Sequence, residues 1–180
     1  MGQVVLTHFS ATSAGTTTVG DTGSTGAVTV STPSQSVPTI TTSTGSPSIP
    51  PSGCVLVKTL QTQGLSLQIY FQEGARAAEN QCIYTALQNI RSPAWGWPLN
   101  ENITVANSAG ATVYQARFAY LGVVSATFSE GHYWANTAYW NSSTASTGAT
   151  PQAGTYQLSV AIKMPTAADI MSDVNITLSS

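Results

Sequence analysis

From Gly154 to Met164 every second residue is apolar: Tyr156, Leu158, Val160, Ile162 and Met164 fall in one phase, and Pro165 closes the run. A period of two puts successive side chains on opposite faces of an extended strand, so this stretch specifies a β-strand with one buried face. The same phase recurs in Leu65, Leu67, Ile69 and Phe71, with Ser66, Gln68 and Tyr70 opposite, and in Val174, Ile176 and Leu178. Ile103 and Val105 begin a further strand, Asn107–Gly110 reads as a turn, and Thr112–Tyr120 returns as a hairpin partner. Leu121–Phe128 continues the β-prone pattern, and the apolar run Cys54–Leu60 suits a buried strand.

One segment carries a different spacing. Ala78, Cys82, Ala86 and Ile90 stand four apart with Ile83 and Leu87 beside them, and Ser92-Pro93 would stop a helix there. The expectation is one short helix over 75–90. With seven to nine strands around it, the fold class expected is all-β: an antiparallel β-sandwich or jelly roll with one short helix and an extended N-terminal arm.

The arm follows from a compositional break near Gly53. Residues 1–53 are dominated by Ser, Thr, Gly and Pro, with Asp21 their only charge and Phe9 their only aromatic residue. Two short β-prone pieces, Gln3–Phe9 and Ala27–Val30, interrupt it, and Thr39–Pro51 is low-complexity extended chain. Such a segment cannot bury enough apolar surface to fold alone. It gains order only by lying along something, its own domain or a neighbouring subunit. The expected organisation is an arm over 1–53 and a sandwich domain over 54–180.

Charge is scarce. Hydrophobic residues make up 42% of the 180 residues but charged ones only 7%, against roughly 25% in an ordinary soluble domain. A surface of hydroxyls and amides loses far less on burial than one of ammonium and carboxylate groups, which suits a protein covered by neighbours. The five cations Lys58, Arg76, Arg91, Lys163 and Arg117 are scattered and the net charge is −2, too little positive charge for nucleic-acid binding or a polybasic membrane anchor. No apolar stretch nears the roughly 20 residues of a bilayer span. Met1–Phe9 lacks the cationic start and apolar core of a signal peptide, so the expectation is a chain not exported, or one whose export segment has been removed.

Chemistry-bearing motifs are sparse. His8 and His132 are the only histidines. A Ser125/Glu130/His132 hydrolase lacks the Gly-x-Ser-x-Gly elbow, Asp169/Asp173/Asn175 match no EF-hand spacing, and Gly20–Gly26 lacks the phosphate-loop lysine. Neither catalytic residues nor a metal or cofactor are expected. Cys54 and Cys82 are compatible with one disulfide or with two small buried side chains. The tryptophans fall in two stretches with loop-like surroundings, Trp95-Gly96-Trp97-Pro98 and Tyr133-Trp134 through Tyr139-Trp140. Aromatic rings on loops serve as contact residues, for sugars among other ligands, or else plug the ends of a sandwich. Candidate binding residues are therefore Trp95, Trp97, Tyr133, Trp134, Tyr139 and Trp140.

These features point to a non-enzymatic structural subunit of an assembled particle, a virion capsid, decoration or spike protein. Its partners would be copies of itself or other structural subunits held through the arm. A filament subunit or adhesin outside the cell, joined by strand donation, and a carbohydrate-binding module contacting a glycan or host surface are the alternatives. Nucleic acid and a membrane span are not expected.

Overall fold

The computed structural model describes residues 39–41, 49–91, 99–120, 128, 130–165 and 167–180. All belong to one compact unit, Pro33–Ser180. Among the described residues nine strands occur: β1 (Thr39–Thr41), β2 (Cys54–Thr62), β3 (Leu65–Gln72), β4 (Gln81–Asn89), β5 (Leu99–Ala106), β6 (Thr112–Tyr120), β7 (Tyr133–Trp140), β8 (Gly154–Lys163) and β9 (Ile170–Leu178). They make a four-stranded sheet in the order β2-β3-β4-β7 and a five-stranded sheet in the order β1-β6-β5-β8-β9. All pairings are antiparallel except β1 with β6.

The chain changes sheet between β1 and β2, between β4 and β5, between β6 and β7, and between β7 and β8. In consequence β4 and β7 are neighbours in one sheet while β5 and β8 are neighbours in the other, the interlock of immunoglobulin-type sandwiches. The alternation read from the sequence sets the faces. Leu65, Leu67, Ile69 and Phe71 of β3 meet Leu158, Val160 and Ile162 of β8, Ile103 and Val105 of β5, and Ile176 and Leu178 of β9 in a single core. Each such side chain, fully buried, contributes about 1.5–3 kcal/mol relative to exposure. Turn chemistry closes the hairpins. Gln63 and Gly64 both have positive φ between β2 and β3, the two-residue loop that matches strand twist. At the β5–β6 turn, Asn107 Oδ1 accepts from the amides of Ala109 and Ala111 at 3.0 and 2.9 Å, and Gly110 takes φ +80°.

Two expectations are corrected. Residues 75–90 are not helical: a loop leads into β4, which runs through Cys82, Ala86, Ile83 and Leu87, and no helix occurs among the described residues. A spacing of four is also a multiple of two, so it fits a strand as well as a helix. Cys82, Tyr84 and Ala86 lie on the outer face with Cys54, whereas Ile83 and Leu87 lie in the core. Both faces of β4 are buried, which erased the polar phase that would have marked it as a strand. The run Cys54–Leu60 is not a buried strand either; β2 is a sheet edge, with Val55 and Leu56 exposed and a register shift between Leu56 and Lys58. The β-prone pieces Gln3–Phe9 and Ala27–Val30, and the stretch 121–127, lie outside the described residues.

Candidate functional site

The aromatic candidates separate by strand phase. Tyr133–Trp140 is not a loop but strand β7, so alternate residues face opposite ways. Trp134 and Trp140 point into the core, each 1% exposed. Trp134 lies 5.7 Å from Tyr120 of β6, and Trp140 lies 5.0 Å from Tyr156 of β8 and 6.5 Å from Tyr114 of β6, ring centre to ring centre. These rings hold the two sheets together and are not available to a ligand. Tyr133 is half-buried and Tyr139 is 45% exposed. Trp95 and Trp97 lie outside the described residues, as does Ser125. Cys54 and Cys82 form a disulfide, 6.2 Å between Cα atoms, joining the start of edge strand β2 to β4. Beside it Tyr70 and Tyr84 meet edge to face at 5.3 Å on the outer surface of the four-stranded sheet.

A group that the sequence reading passed over sits between the sheets. Glu101 lies on β5 in the phase of Leu99, Ile103 and Val105, and is 2% exposed. From the opposite sheet Asn136 Nδ2 donates to Glu101 Oε2 at 2.5 Å. The Thr85 hydroxyl also faces the carboxyl but falls short of a full hydrogen bond, and Glu101 Oε1, Thr85 Oγ1 and Asn136 Oδ1 are buried without partners among the described residues. Burial removes water from the carboxylate and pushes the Glu101 pKa up to about 7, against the weaker opposing effects of the nearby Thr85 hydroxyl and the Asn136 hydrogen bond. An acid standing in the apolar phase of a strand was the signal that could have found it.

The five-stranded sheet ends in β9 on one side and, on the other, in β1 paired along the outer side of β6. Thr39, Ile40 and Thr41 lie parallel to Phe118, Ala119 and Tyr120. A strand from the Ser/Thr-rich segment is thus added to the sheet edge through backbone groups, covering three of the nine residues of β6. Nearby, a cavity of about 340 Å³ is lined by Asn100, Asn102, Arg117, Phe118 and Lys163 together with Glu101. Lys163 there reaches Asp169 at 3.9 Å, both exposed, a contact of little energetic weight.

No protein-family description and no curated protein matches the chain. Among solved structures it is similar to a β-glucuronidase from glycoside hydrolase family 2, at 12% identity and a TM-score of 0.39, over 62% of this chain and 11% of that one. The chain spans about a tenth of that enzyme's length, and a likeness this slight carries no weight for fold or function. The fold itself defines the class: an interlocked all-β sandwich with an added edge strand.

Proposed function

We propose that this chain is a non-enzymatic structural subunit of an assembled particle, a virion capsid, decoration or spike protein, and that its N-terminal arm joins it to neighbouring copies. The observation that carries the reading is the pairing of Thr39–Thr41 with the edge of β6. Edge strands offer unpaired backbone donors and acceptors to any extended segment that reaches them. An arm strand held by three residue pairs is weakly committed to its own sheet, and the same edge accepts the arm of a neighbour in the same geometry. The scarcity of charge, 7% of the chain, favours burial of the outer faces between subunits.

The burial of Trp134 and Trp140 favours assembly over a carbohydrate-binding module. Indoles that fill the core offer no stacking platform to a sugar. The experiment is removal of residues 1–48, which stops short of the Pro51–Cys54 turn that starts β2. Light scattering and negative-stain imaging should then show a folded monomer where the full chain forms higher-order particles. Particles of unchanged mass after the deletion would refute the role of the arm.

A further inference from the structure

The Thr85–Asn136–Glu101 group is explained by neither sheet pairing nor assembly. Thr85 and Asn136 are direct cross-strand partners on β4 and β7, both facing the core at 1% and 3% exposure. Side chains opposed on one face of an antiparallel pair have Cβ atoms about 4.5–5.5 Å apart, within reach for a hydroxyl to meet the neighbouring amide carbon. Glu101, from the other sheet, accepts from the amide nitrogen of Asn136 and faces the hydroxyl of Thr85. A nucleophile, an acyl group and a proton acceptor are thereby collected where water is excluded.

We propose that these residues link β4 to β7 covalently, through an intramolecular ester between Thr85 Oγ1 and Asn136 Cγ formed with Glu101 as proton carrier. Thr85 Oγ1 attacks Asn136 Cγ as its proton passes to the Glu101 carboxylate. The tetrahedral adduct then collapses, the Cγ–Nδ2 bond breaks, and the proton held by Glu101 goes to the departing nitrogen. One hydroxyl and one primary amide become one ester and one ammonia, with no change of oxidation state and Glu101 regenerated. The two halves need Glu101 first as base and then as acid, and a carboxyl titrating near neutrality serves both. Loss of ammonia to solvent drives the step forward, and the dry core protects the ester from hydrolysis. The bond fastens the two strands at which the sandwich interlocks, independently of how subunits assemble.

The test is the intact mass of the full-length chain, purified, reduced and denatured. The expected mass is that of the sequence less one ammonia, with a β4 peptide joined to a β7 peptide on proteolysis. Thr85→Val and Glu101→Gln should restore the full mass, and Thr85→Ser, which keeps a hydroxyl, should retain the deficit. Circular dichroism of each variant shows whether a restored mass comes from a folded chain. The wild-type mass decides the matter alone if the variants do not fold. A wild-type chain at full sequence mass after prolonged incubation at neutral pH overturns the proposal. So does a deficit that survives Thr85→Val.

Discussion

Asn136 of β7 and Glu101 of β5 are joined across the middle of the sandwich by a 2.5 Å hydrogen bond, the amide donating to a carboxyl that water does not reach. The unfolded chain returns Glu101 to its ordinary value of 4.5, while in the fold burial raises it to about 7. Because the folded pKa is the higher one, the folded state binds the proton more tightly. The stability this supplies is fully present below about 4.5 and is lost as pH rises through about 7. A shift of that size corresponds to about 3 kcal/mol. Urea unfolding from pH 4 to 8 should show stability falling with pH over this window in the wild type, and the slope should flatten in Glu101→Gln.

The disulfide spans a sequence separation of 28 and pins an edge strand that is otherwise largely exposed. Closing a loop of this length removes conformations from the unfolded chain, an effect of about 2–4 kcal/mol. Reduction, or the double change Cys54→Ser with Cys82→Ser, should lower the unfolding free energy by that amount, and the denaturant midpoint with it, without abolishing the fold. The comparison is unfolding with and without reductant.

Trp134 and Tyr139 stand five residues apart on one strand and should behave in opposite ways. Trp134→Ala empties a fully buried site against Tyr120 and should cost about 3–5 kcal/mol. Tyr139→Ala removes a ring that is 45% exposed and should stay within about 0.5 kcal/mol. Calorimetry of the two variants measures both.

Much of the sandwich was legible because one face of most strands is wet. In β3, β8 and β9 the apolar phase is separated by polar residues, and the period of two stands out. It failed where that contrast is missing. In β4 the disulfide, Tyr70 and Tyr84 bury the outer face as well, so the strand carries apolar residues in both phases and resembles a helix. In β2 an apolar run marks an edge rather than the interior. The surroundings of Trp134 and Trp140 read as loop-like, yet Trp134, Asn136, Ala138 and Trp140 share one inward phase of a strand. Asn136 is there to meet Glu101, a pairing set by the packing of two sheets and absent from any local pattern.

Replacing Thr39, Ile40 and Thr41 together by proline removes every backbone donor of β1 and leaves the sandwich residues untouched. Sedimentation of this variant beside the wild type reads the consequence for assembly. If the arm strand joins subunits, the variant sediments as a folded monomer under conditions in which the wild type forms particles. Particles of equal size from both chains, or a wild type that is monomeric at every concentration, would contradict it.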